Sequence, residues 1–299
     1  MRTVYLATSA FAAAVLERLA ASPHRPALVV TRPDRPAGRG RRLLAPPVAS
    51  AARALGIDVA QPDDVNEGSA RARIAAVAPD AVVVCAFGAL LKEPLLSEHD
   101  LLNVHPSLLP RWRGAAPIER AIMAGDAQTG VAIMRMTAGL DSGPVCLLER
   151  EPIADDDTFG TLAPRLERIG GELLVRALDE RPACTEQDEA LVTYAEKLGP
   201  RDRTLDPLAR SAVELERVVR ALTPHIGARL ALPDGSFLGV VGARLAADAP
   251  PPSGTVAGER ERLLLGCRDD SALELTVVQP PGGRPMTVAD YLRGRGLPG

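Results

Sequence analysis

Aromatic side chains make up only 3% of this 299-residue chain, so alanine, leucine and valine must fill its interior. Lysine is rarer still. Lys92 and Lys197 are the only two, and neither closes a glycine-rich loop of the kind that cradles phosphate. The glycines of a dinucleotide fingerprint are missing after the first apolar run, where the chain reads Ala7-Thr8-Ser9-Ala10-Phe11. Gly38 and Gly40 fall in an arginine-rich loop, outside any strand–turn–helix context. Four cysteines, Cys85, Cys146, Cys184 and Cys267, form no C-x-x-C pair. They are expected to be isolated small hydrophobes, and no metal set is expected. No apolar stretch approaches the roughly eighteen residues of a membrane span. The apolar start is interrupted by Glu17 and Arg18, unlike a secretion signal. The cytoplasm is therefore the expected compartment, with no membrane partner, and a monomer is the expected assembly. The net charge of −3 announces no global affinity for nucleic acid.

What is present is an α/β pattern followed by a β-rich one. Val4–Ala7, a helical stretch from Phe11 to Leu19 and Ala27–Thr31 give strand–helix–strand order. Ala81–Ala86 is uniformly apolar, as in a parallel sheet covered on both faces. Leu101–His105 and Thr129–Met136 are further strand candidates, and Pro117–Ala124 a helix. A helix is expected from an Asp157 cap toward Leu178. Residues 192–208 have little periodicity. Ser211 and Glu214 form a capping-box signature for a helix to Leu222. Short apolar runs separated by turn residues then predict a small barrel or sandwich. The expected fold is a doubly wound, mostly parallel sheet domain over 1–187, a linker over 188–208 and a smaller β-rich barrel over 209–299.

Two residues near the middle of the chain stand out. Asn103 and His105 end an apolar strand and, two residues apart, share one face of it. Ligands of open α/β sheets bind beyond the carboxyl ends of strands. An amide N–H there can stabilise a developing oxyanion, and an imidazole can move a proton near neutral pH. Asp141, framed by glycines in GLDSG, is a carboxylate that a tight loop could deliver to the same cleft. Spacing alone does not show that the three meet, and Asn-x-His specifies no reaction. His24, His99 and His225 are expected to be surface or structural. A second feature is the loop at 31–42, with Arg32, Arg35, Arg39, Arg41 and Arg42 against a single acid, Asp34.

TRPDRPAGRGRRL at 31–43, LNVHPSLLPRWRGAAPIERAI at 102–122, GVAIMRM at 130–136, GLDSG at 139–143 and LVTYAEKL at 191–198 resemble the folate-dependent formyltransferase family. The resemblance spans nearly the whole chain. The first and last of these stretches point to members that act on tRNA. It implies an N-terminal domain that binds 10-formyltetrahydrofolate and a C-terminal barrel resembling an OB fold. The family's catalytic residues fall on Asn103, His105 and Asp141. Its folate-contacting segment falls on Ser107, Leu108, Leu109 and Pro110. Its tRNA-entering loop falls on Pro33–Leu44, with Arg35, Arg39, Arg41 and Arg42. The implied partners are a reduced folate and methionyl initiator tRNA. The chain departs from the pattern at Ala7-Thr8-Ser9, where glycine-threonine-proline is usual, and at His225, where tryptophan is frequent. Residues 205–299 hold eleven arginines, no lysine and eleven acids, where this domain is often basic.

Other readings differ in their acceptor. An amino sugar nucleotide or another small amine would use the same three residues, leaving the arginine loop unexplained. A folate-linked hydrolase would use water. An RNA-binding protein with an inactive α/β domain would not need the complete triad.

Overall fold

The computed structural model describes residues 1–37, 42–259 and 261–298. Two compact units result. The first comprises Met1–Gly114, Gln128–Pro152 and Ala163–Tyr194, and the second Ala115–Ala127, Ile153–Leu162 and Ala195–Gly299.

In the first unit seven strands form one sheet, in the order Val145–Pro152, Gln128–Arg135, Leu101–His105, Ala81–Cys85, Thr3–Ala7, Pro26–Val30 and Asp58–Ala60. The five strands from Leu101–His105 onward pair in parallel, whereas Gln128–Arg135 runs against both of its neighbours. Every residue of Thr3–Ala7, Ala81–Cys85 and Leu101–His105 is buried. Two covered faces are why these strands carry continuous apolar sequence.

Helix Ala10–Ala20 buries Ala12, Val15, Leu16 and Leu19, an i, i+3, i+4, i+7 stripe. Ser9 begins it by accepting a hydrogen bond from the Ala12 amide. The departure at position 9 thus supplies a side-chain cap. Helix Phe159–Glu180 continues through Pro164 and through Gly170-Gly171. Its start corrects the expected Asp157 cap: Thr158 accepts from the Thr161 amide, while Asp157 Oδ2 accepts from the Ala154 amide one turn outside the helix. A Cβ on Gly170 would stand 3.2 Å from Val104 Cγ1, so this glycine lets the helix approach the residue between Asn103 and His105.

The cysteine expectation also needs correction. Cys85 and Cys267 are free and buried, but Cys146 and Cys184 form a disulfide. The cause is long-range pairing: Val145 and Thr185 exchange two main-chain hydrogen bonds of 2.8 Å. That sets the next pair, Cys146 and Cys184, at the close-approaching, non-hydrogen-bonded position of an antiparallel ladder. A separation of 38 residues in sequence carries no trace of this.

The second unit is β-rich. Its strands pair in the order Thr204–Leu205, Ala228–Ala231, Phe237–Ala246, Ser271–Gln279, Arg262–Cys267 and Val256–Glu259, with Met286–Thr287 also on Ser271–Gln279. Short strands joined by turns thus build the β-rich unit that the sequence predicts. Helix Ala212–Leu222 has the predicted capping box of Ser211 and Glu214, and buries Leu215, Val218, Val219 and Leu222. His225 stacks on Phe159 at a centroid distance of 3.7 Å and pairs its Nε2 with Glu119 Oε1 at 2.9 Å. Among the described residues no helix is long and apolar enough to cross a membrane.

Candidate active site

The strand Leu101–His105 places Asn103 and His105 on one face, 7% and 4% exposed. Burying two polar side chains is costly unless each finds a partner, and both do. Asn103 Nδ2 donates to Asp141 Oδ1 at 3.2 Å. His105 Nε2 lies 2.9 Å from the carbonyl of Trp112, and His105 Nδ1 lies 3.6 Å from Asp141 Oδ2. A carbonyl can only accept, so Nε2 carries a hydrogen and Nδ1 is the nitrogen left for proton exchange. The Gly114 amide donates to Asp141 Oδ2 at 2.9 Å. The carboxylate is therefore held by one donor on each oxygen and faces the imidazole.

The three sequence-predicted residues are brought together, Asp141 coming from the loop after the next strand of the sheet. The strand before Asp141 is antiparallel, and Arg135 stands opposite Leu102. The loop carrying Asp141 consequently starts at the amino end of Leu101–His105 and reaches Asn103 and His105 across the sheet face. Asp141 itself adopts a left-handed conformation, φ 45°. Sequence reasoning missed Trp112 and Gly114. Both contribute main-chain groups, which residue types do not advertise.

The segment after His105 turns sharply. Ser107 is fully buried, and its hydroxyl donates to the Arg111 carbonyl at 2.7 Å. Leu109 packs with Ala132 and Met134. Leu108 and Pro110 are half-buried. Leu108 lies beside Gly130, where an added Cβ would come within 2.5 Å of its Cδ2. Ser107 and Leu109 thus shape the turn from the inside, leaving Leu108 and Pro110 the more open pair.

The arginine loop is a two-stranded ribbon where it is described. Arg35, Pro36 and Ala37 pair with Leu44, Leu43 and Arg42. Arg35, Leu43 and Leu44 are exposed. Arg39 and Arg41 lie outside the described residues, as does the side chain of Arg42. At the base of the ribbon, Arg32 donates to the Gly88 carbonyl at 2.8 Å and Thr8 to that of Phe87 at 2.7 Å. Thr8, Arg32, Pro33, Leu44 and Phe87 line a cavity of about 320 Å³ there. No group of three or more His, Cys, Asp or Glu residues that could hold a metal occurs among the described residues.

Residues 1–178 match the formyl transferase family, and residues 197–296 match the C-terminal domain of formyl transferases. The chain is 45% identical to the methionyl-tRNA formyltransferase of Pseudomonas paraeruginosa, over 99% of this chain and 96% of that protein. It is 46% identical to the methionyl-tRNA formyltransferase of Halorhodospira halophila, over 99% and 97%. Among solved structures, HypX from Aquifex aeolicus in complex with tetrahydrofolic acid superposes with a TM-score of 0.67 at 18% identity. That likeness covers 98% of this chain and 47% of the other, and bears on the fold alone. The chain belongs to the formyl transferase family, and the two relatives named above, matched over nearly their whole length, are methionyl-tRNA formyltransferases.

Proposed function

We propose that the chain transfers the formyl group of 10-formyltetrahydrofolate to the free α-amine of methionyl initiator tRNA, in the cytoplasm and as a monomer. The observation that carries this reading is the Asn103–His105–Asp141 cluster within a chain 45% identical to a methionyl-tRNA formyltransferase from end to end. We assign catalysis to residues 1–187 and linkage to 188–208. We assign the smaller β-rich barrel to residues 209–299.

The reaction is acyl transfer. The neutral amine attacks the formyl carbon, and charge collects on the formyl oxygen. Asn103 Nδ2 carries two hydrogens, of which Asp141 engages one. The other stabilises the oxyanion. His105, held through Nε2 by Trp112, presents Nδ1 to Asp141. This pair takes the proton lost by the attacking amine and returns one to N10 of the departing folate. Leu108 and Pro110, with Ser107 and Leu109 behind them, border the folate. Arg35, Arg39, Arg41 and Arg42 form a basic stretch of sequence suited to the phosphates of an acceptor stem. The chemistry calls for no metal.

The deciding experiment supplies 10-formyltetrahydrofolate with charged initiator or elongator methionyl-tRNA, and in parallel with amino sugar nucleotides. Formylation of the initiator tRNA, dependent on the folate, is expected. Transfer to the sugar with none to the tRNA would overturn the acceptor, and full activity without the folate would overturn the donor.

A further inference from the structure

The loop that delivers Asp141 holds an energetically unfavourable shape. A non-glycine residue in the left-handed region is strained, aspartate less than most, and stays there where its surroundings hold it. Asp141 sits there at φ 45°. On one side the loop closes on the sheet: the Arg135 amide donates to the Pro144 carbonyl at 3.0 Å, and a Cβ on Gly143 would fall 1.9 Å from the Arg135 carbonyl oxygen. On the other side stands one side chain, Gln187. Its Nε2 donates to the carbonyl of Asp141 at 2.8 Å and to that of Gly143 at 2.7 Å. Both hydrogens of the carboxamide are thus spent on the main chain flanking Ser142.

The orientation of that carboxamide is itself fixed. Its Oε1 accepts from Arg113 Nε at 2.9 Å. Arg113 is 3% exposed, and its other nitrogens donate to Glu189, Nη2 to Oε1 at 2.7 Å and Nη1 to Oε2 at 3.2 Å. A guanidinium has no acceptor, so the amide can only turn its oxygen toward Arg113 and its hydrogens toward the loop. The residue after Arg113 is Gly114, whose amide caps the Asp141 carboxylate. One anchored segment thereby sets both the main chain and the carboxylate of Asp141.

We propose that Gln187 is a positioning residue for formyl transfer, acting through Asp141 by clamping the carbonyls of residues 141 and 143. The inference rests on the reaction proposed above. The hydrogen bonds of Gln187 go to Arg113 and to the main chain of residues 141 and 143. Its loss lets the loop relax and moves the carboxylate away from Asn103 and His105. Displacements of about 1 Å at a reacting centre cost up to roughly 100-fold in rate.

Two variants test it by single-turnover formylation of initiator methionyl-tRNA, with circular dichroism to verify folding. Gln187→Met keeps the length and removes all three hydrogen bonds. Gln187→Glu keeps the link to Arg113, as an ion pair that favours the fold, and removes both N–H donors. Each should lower the chemical rate about 10- to 100-fold, leaving the folate Kd and the KM for tRNA within about threefold. Each is also combined with Asp141→Asn. A residue that acts through Asp141 adds no further loss in that background, whereas an independent structural contribution multiplies. A loss confined to KM, a multiplicative loss in the double variants, or two folded variants with the wild-type rate would overturn the inference. An inactive wild type would instead overturn the reaction on which it rests.

Discussion

Replacing Asn103 by aspartate changes one atom and reverses the local electrostatics. In the wild type, Nδ2 donates to Asp141 Oδ1 across 3.2 Å in a nearly buried setting. A carboxyl at position 103 puts oxygen against oxygen at that distance. If both carboxyls were ionised, their repulsion at an effective dielectric of about 20 would be about 5 kcal/mol. That is enough to raise the proton affinity of the pair by between three and four pH units, at about 1.4 kcal/mol per unit. The pair therefore retains one proton well above the ordinary carboxylate range, and the two titrations belong to the pair jointly. While that proton is held, the introduced carboxyl can donate a hydrogen bond and stand in for the amide. Once it is lost, the oxyanion meets an anion. The assay is single-turnover formylation from pH 5 to 9, expressed as the ratio of the Asn103→Asp rate to wild type. Titration of the substrate amine then cancels. The ratio should fall as pH rises. Asn103→Ala, which removes the donor without adding a charge, should show a pH-independent loss of about 3–4 kcal/mol in transition-state stabilisation, or between two and three decades. A flat or rising ratio for Asn103→Asp would refute the placement of Asn103 against Asp141 and the donor role with it.

His105→Ala should lower the single-turnover rate by about 10²–10⁴-fold with the fold retained, as checked by circular dichroism; an unchanged rate would remove His105 from the mechanism. Arg39→Ala, and more strongly Arg39, Arg41 and Arg42 all to Ala, should lower kcat/KM for tRNA and leave folate affinity unchanged. The salt dependence of tRNA binding should flatten by up to about 0.9 log–log units for each duplex phosphate no longer neutralised, a DNA-derived figure; equal slopes would leave the ribbon without a role in binding. Burial pushes the Cys85 thiol up to about 12 and the Cys267 thiol up to about 11. The native protein should therefore show no fast-reacting thiol toward a thiolate-specific reagent at pH 8. Mild reduction should release two, from Cys146 and Cys184; four, or none, would contradict the assignment.

The parts of this molecule legible in its sequence are those governed by local rules. Asn103 and His105 announce themselves because a strand puts alternate residues on one face, and the Ser211–Glu214 box because it closes within one turn. Asp141 is legible as a loop carboxylate, but its destination depends on the direction of the strand before it, which hydrophobic pattern does not encode. Gln187 lies 46 residues beyond Asp141 in a polar stretch, and its value comes from Arg113, 74 residues earlier. The Cys146–Cys184 pair has the same character. Such pairings follow from the assembled sheet and leave no periodic trace. The pairing of Arg35–Ala37 with Arg42–Leu44 is hidden for another reason: the prolines and arginines there suggest an irregular turn.

The reversed strand Gln128–Arg135 has one more consequence. The loop bearing Trp112 and Gly114 leaves one end of Leu101–His105, and the loop bearing Asp141 comes in from the other. The five-residue strand acts as a gauge block between two jaws. The jaws also grip each other across it: Gly114 of one caps the Asp141 carboxylate of the other, and Arg113 reaches the Asp141 loop through Gln187, so a change of length in one is felt by the other.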